Sequence, residues 1–304
     1  MADFKPLFGY EKNPEAASEF VSSLAKPTLA EAGPMLQASM KDTHLGHYLL
    51  KVNPSWQRGS QEIGSCCGWG WSLSVDVLAA CDILFRGERE SFGGRVLEAC
   101  TYGLSRVQAR GVKSNPEGDG SYGAACAKAV TKFGTLHRGQ SYNGKVYEKS
   151  DGKLEKAWGR DGVPDDLLPF AVKHVVREVT LVKNFDDVAK AITNAFPVAV
   201  CAGVGFKMTF SKQGWLQRSG SWAHCQSIIG VRFGERPGAF VENSWGDCYD
   251  GEVDPTLPPQ FQRSGGWVDA DVIDKMVSGD DSYAIAGYTG FAPTQLPNWT
   301  EIYL

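Results

Sequence analysis

The sequence predicts an α+β protein of two lobes, a helical half followed by an antiparallel β half, with its chemistry at the seam between them. Three observations carry this expectation. Between about residues 55 and 166 apolar residues recur at helical spacing, whereas from about 167 to 290 they gather into short β-branched runs bounded by turn residues. A cysteine pair, Cys66-Cys67, stands at the start of the most apolar helical stretch. Far downstream, His224 opens one apolar strand and Asn243 closes the next. A cleft between two unlike lobes is where such groups can meet.

Composition sets the outer bounds. With 304 residues, 42% hydrophobic and 22% charged, the chain can bury one large core or two lobes with their own cores. A net charge of −4 gives no support for nucleic-acid or anionic-membrane binding. Met1 to Pro6 lacks a basic start followed by an apolar run, and no uninterrupted stretch of about 18 apolar residues is apparent, so neither a signal peptide nor a membrane helix is expected. The expected location is therefore cytoplasmic. In a reducing compartment the eight cysteines are expected as free thiols, with Cys81, Cys100, Cys126 and Cys201 as small buried apolar residues. Asn298-Trp299-Thr300 reads as a glycosylation acceptor that means nothing without secretion.

Residues 1–50 read as an N-terminal arm that packs on the rest of the chain or on a protein partner, with helical composition over Pro14–Leu24 and Thr28–Met40. The main domain is placed at 51–290. Its core helix is Cys66–Phe85, closed by Arg86-Gly87; others are expected over Gly94–Arg110 and Ala124–Phe133, separated by a glycine-rich loop from Asn115 to Gly123. Tyr142–Gly162 reads as a polar connector. Strands are expected over Val172–Val182, Pro197–Val204, Trp222–Phe233, Gly238–Ser244, Gly266–Asp269 and Ser282–Tyr288, with one helix, Phe185–Ala195, capped by Asn184. Residues 291–304 form an irregular tail.

Gln61-Glu62-Ile63-Gly64-Ser65-Cys66-Cys67-Gly68-Trp69 places a cysteine at the positive end of a long helix, where the dipole favours a thiolate. A hairpin could bring His224 beside it and let the Asn243 amide orient the ring. At these residues the chain resembles the papain-like cysteine peptidases. Gln61 ahead of Gly-Ser-Cys, Ala223-His224 followed by Ile228-Ile229-Gly230, and Asn243-Ser244-Trp245-Gly246 appear in the family's order over roughly residues 55 to 290. The resemblance implies a two-lobe papain-like fold and peptide-bond hydrolysis. A Cys66 thiolate would attack the carbonyl, His224 would protonate the leaving amine, Asn243 would fix the imidazole, Gln61 would donate to the oxyanion, and Trp245 would shield the His–Asn bond.

The resemblance also implies that Gly118, Asp119, Gly120 and Ser121 form the loop that pairs with substrate backbone. It places Trp222 and Cys225 along the pocket for the second residue upstream of the cut, where an indole would favour small side chains. No cofactor is implied. Cys66, Cys67, His224 and Cys225 are zinc-ligand types, but adjacent pairs lack the two-to-four-residue gap of a chelate, so no metal is expected.

Tyr249 stands where the family usually has tryptophan, Asp250 where it has glycine, Ala223 where a polar residue is common, and neither cysteine is followed by tryptophan. These departures point to a divergent branch of the kind found in bacterial and phage genomes. The alternative function is a papain-like fold retained as a structural or interaction protein, for example a virion or assembly component.

Two registers compete for the nucleophile. The family usually spaces its glutamine six positions ahead of the cysteine, which selects Cys67. Gly64-Ser65 before Cys66, and a helix face that turns Asp76 outward in that register, select Cys66, which is the assignment adopted.

Overall fold

The computed structural model describes residues 6–32, 41–87 and 91–288. In chain order the elements are α1 (Pro14–Ser22), α2 (Leu29–Ala32), β1 (Thr43–His44), α3 (Gly46–Val52), α4 (Cys66–Leu84), α5 (Glu98–Arg106) and α6 (Gly123–Lys128), which runs on into a π turn over Ala129–Phe133. A small hairpin of β2 (Ser141–Tyr142) and β3 (Lys145–Val146) precedes α7 (Gly152–Asp161) and α8 (Leu168–Ala171). The rest is β4 (Val176–Leu181), α9 (Phe185–Thr193), β5 (Val198–Ala202), β6 (His224–Arg232), β7 (Gly238–Glu242), β8 (Gly265–Asp269), α10 (Ala270–Val277) and β9 (Tyr283–Tyr288).

An antiparallel seven-stranded sheet in the order β4-β9-β5-β6-β7-β8, with β1 on β6, forms one half, and the helices around α4 and α5 the other. The helical lobe has its own core of Leu97, Leu104, Leu136, Trp158 and Leu167. A second cluster, including Cys66, Trp71, Val75, Leu78, Ala199 and Tyr283, joins α4 to the sheet. Gly70 permits this junction: a Cβ there would lie 3.1 Å from the backbone N and O of Gln226 on β6. Helix and strand therefore meet at backbone distance, and the start of α4 lies against the start of β6.

α4 departs from its expected character. Every residue from Cys66 to Asp82 is buried, so it has no polar face. It has the length and hydropathy of a membrane span, contrary to the expectation that no such stretch exists, yet 89% of that apolar window is buried inside the protein. Asp76 does not point outward. Its carboxylate accepts from the Val96 N–H at 2.8 Å and faces Arg95 Nε at 3.8 Å, and burial pushes its pKa up to about 7.

The polar connector contains α7, a whole helix capped by Asp151, whose Oδ1 accepts from Leu154 N at 2.9 Å, and closed by Gly162 at φ +84°. Lys153, Lys156 and Arg160 hide its apolar face in the sequence. The strand expected from Val172 begins only at Val176, because Leu168–Ala171 is helical. Residues 43–52 pack into the rest of the chain: β1 extends the sheet beside β6, and Leu45 and Leu49 are fully buried. The expected helix to Met40 lies largely outside the described residues beyond Ala32, as do the tail at 291–304 and the Asn298 sequence.

Candidate active site

Cys66 opens α4, and Ser65 before it lends no side-chain cap because its hydroxyl donates instead to Glu155 Oε2 at 2.6 Å. Glu155 also accepts from Trp69 Nε1 at 2.8 Å, so a carboxyl group from α7 braces the first turn of the helix. Burial pushes its pKa up to about 8. The folded state therefore holds a proton on Glu155 that the unfolded chain has lost, and this contribution to stability is present at low pH and fades as pH rises from about 4.5 to about 8. Glu155→Gln keeps an acceptor for Trp69 and never ionises, so its melting temperature is expected to fall less than the parent's between pH 5 and 8. Parallel curves for the two proteins would refute this.

His224, the first residue of β6, places Nε2 2.8 Å from Asn243 Oδ1. Asn243 is itself held, donating through Nδ2 to Tyr249 Oη at 3.1 Å while its Oδ1 also accepts from Ser244 N at 2.7 Å. The Trp245 indole stacks on the imidazole, with centroids 4.3 Å apart at 28°. His224 Nδ1 is buried with no hydrogen-bond partner and is the ring nitrogen free to serve a sulfur. That sulfur is Cys66: burial and the neighbouring Cys67 raise its pKa well above the thiol value, and His224 is the group that opposes them. Cys66 Sγ also accepts from the Cys225 N–H at 3.4 Å.

Cys67 points elsewhere. Its sulfur lies 3.1 Å from Ser121 O and 3.6 Å from Gly9 O, where a thiol donates and a bare thiolate is repelled. Burial raises its pKa and hydrogen bonds with Cys126, Cys225 and Cys66 pull it below the usual thiol value, but no imidazole serves it. The helix-face argument for Cys66 fails, since α4 has no exposed face; the neighbours of each sulfur are what separate the two.

Gln61 is fixed at both ends. Its Oε1 accepts from Ser244 Oγ, and its Nε2 donates to Ile63 O at 2.8 Å and to Leu7 O at 3.2 Å. Leu7 O also accepts from Trp245 Nε1 at 3.1 Å. The Gln61 amide is thus occupied in part by the chain's own N-terminal segment. Phe8 lies against Trp222, His224 and Trp245; Gly9 N and Tyr10 N both donate to Ala223 O, at 3.2 and 3.0 Å; Glu11 N donates to Ser121 O and Ser121 N to Gly9 O, each at 2.8 Å. Glu11 is further held by Arg110 at 2.9 Å.

The direction of this segment is fixed by its contacts. Here the residue on His224 is Phe8, and the chain runs from there toward Tyr10 in parallel pairing with Ser121.

Of the expected loop, Ser121 pairs with this segment, whereas Gly118 and Asp119 do not; Gly120 gives close approach, since a Cβ there would lie 2.9 Å from Gly9 O. Gly118 and Gly120 have φ of +61° and +118°, and the buried Arg106 guanidinium donates to the carbonyls of Asn115, Glu117, Gly118 and Gly120. Trp222 and Cys225 do not share a pocket. Trp222 packs with Phe206, Phe8 and Trp245, while Cys225 clusters with Cys201 and Cys67.

No family model and no curated protein matches the chain. Solved structures do. Xylellain, a cysteine protease from Xylella fastidiosa, aligns with a TM-score of 0.55 at 13% identity over 94% of each chain. Procathepsin B S9 from Trypanosoma congolense gives 0.52 at 8% identity over 93% of this chain and 86% of its own. Digestive procathepsin L2 from Tenebrio molitor gives 0.50 at 15% identity over 85% and 71%. The chain has the papain-like two-lobe fold, α+β, that these cysteine proteases share.

Proposed function

We propose that the protein is a cysteine peptidase that hydrolyses peptide bonds through Cys66, His224 and Asn243, and that the conformation described here is its latent one. The observation that carries the reading is the convergence of helix start and strand start: His224 bonded to Asn243 through Nε2, with Nδ1 unpartnered beside the Cys66 sulfur. The thiolate attacks the scissile carbonyl, and the oxygen that gains charge takes the Gln61 Nε2 donor now spent on Leu7 O. His224 gives its proton to the leaving amine, and water then hydrolyses the thioester with His224 as base. Trp245 covers the His224–Asn243 bond and keeps water from it.

Access to this site requires residues 7–11 to leave it. A leaving amine belongs to the C-terminal half of a substrate and would take its proton from His224, whereas this segment runs from Phe8 at His224 toward Tyr10; that reversed direction places no scissile bond correctly, so the segment inhibits and is not itself cut while seated.

The test is hydrolysis of a peptide library by protein freed of the segment. His224→Ala is expected to abolish turnover, whereas Asn243→Ala, which removes only positioning, retains roughly 100-fold more activity than that variant. Unchanged turnover in both would refute the mechanism.

A further inference from the structure

Independently of the catalytic reading, the sulfurs of Cys67, Cys201 and Cys225 all lie within 4.8 Å of one another, and all three residues are buried. They arrive from three separate elements, α4, β5 and β6. Cys201 and Cys225 face each other across the antiparallel ladder, and their N–H groups bond outward to Ser282 Oγ and Cys66 Sγ. Cross-strand pairs of that kind bring side chains closest, and the two sulfurs are 2.9 Å apart.

Packing alone would be served by alanine at these positions. Three soft ligands at such distances fit another use. Zinc–sulfur bonds of about 2.3 Å put tetrahedral sulfurs about 3.8 Å apart, between the 2.9 Å of the closest pair and the 4.8 Å limit of the set. Small side-chain rotations would equalise the three separations. We propose that Cys67, Cys201 and Cys225 form a binding site for a thiophilic d10 cation, zinc(II) being the reference member.

Binding forms a metal–sulfur bond at each thiol and releases that thiol's proton to solvent, with no change of oxidation state. The two carbonyls now facing the Cys67 thiol keep other donors, Glu11 N for Ser121 O and Ser121 N for Gly9 O. Two of the ligands directly follow Cys66 and His224 in the chain. An ion at this point ties α4 to β6 one residue behind that pair. Sequence spacing could not reveal it, because the decisive partner, Cys201, is remote from both dipeptides. With all three sulfurs sealed from solvent, loading accompanies folding.

The experiment is to refold the full chain under reducing conditions with zinc(II), remove loose metal by gel filtration, and measure zinc per chain, with cobalt(II) as an optical substitute. The expected result is one zinc per chain, a thiolate-to-cobalt charge-transfer band, and loss of both in Cys201→Ala and Cys225→Ala but not in Cys81→Ala, whose sulfur sits in a different cluster. The cobalt band in the unsubstituted chain does not depend on how any variant folds. Absence of both zinc and the cobalt band in that chain would overturn the proposal, as would zinc retained at the same stoichiometry in Cys201→Ala. An intact mass lower by one pair of hydrogens, marking a Cys201–Cys225 disulfide, would overturn it as well.

Discussion

Replacing Cys66 with serine is expected to lower peptide hydrolysis by at least about four orders of magnitude, while Cys67→Ser keeps turnover within roughly tenfold of the parent. The asymmetry follows from what each sulfur faces. Cys66 has the free nitrogen of an Asn243-oriented imidazole and the Cys225 N–H beside it, both of which favour a thiolate. Cys67 has two carbonyl oxygens and other thiols, and serine there can still donate to Ser121 O. Steady-state kinetics on a fluorogenic peptide check this. Activity lost in Cys67→Ser and kept in Cys66→Ser would show that the six-residue glutamine spacing was the better guide.

The second large effect is a gain. Gly9→Ala is expected to raise kcat/KM by at least roughly tenfold without truncating the chain, because activity scales with the open fraction. A Cβ on Gly9 would lie 1.9 Å from Gly64 O, backbone against backbone in the turn that launches α4. Gly9 is not among the residues at positive φ, so the substitution acts through this contact and not through backbone strain. Removing residues 1–11 should give a protein at least as active. Equal rates for Gly9→Ala and the parent would show that the segment does not limit access.

The residues proposed as catalytic stood out in the sequence because each sits at the end of an element that its own neighbours define: a glycine-rich turn before an apolar helix for Cys66, an apolar strand after His224, another before Asn243. The rest depends on contacts between distant segments. Leu7 to Glu11 look like ordinary surface chain, and nothing in them announces that Gly64, Ala223 and Ser121 will receive them. Asp76 reads as a solvated charge until the Val96 N–H and Arg95 arrive from beyond the helix end. Arg106 reads as the polar face of α5, yet it organises the Asn115–Gly120 loop. α7 was missed because its lysines mask the Glu155 and Trp158 face, and with it went the carboxyl group that braces Ser65 and Trp69.

The central claim is that Cys66 becomes an accessible, imidazole-activated thiolate once the N-terminal segment is displaced. Labelling Gly9→Ala with a thiol-directed epoxide, followed by peptide mapping, tests it most directly. The account predicts one modified residue, Cys66, with labelling suppressed by His224→Ala and slower in the parent chain. Modification of Cys67 in place of Cys66, or labelling of Cys66 at a rate indifferent to His224, would contradict it.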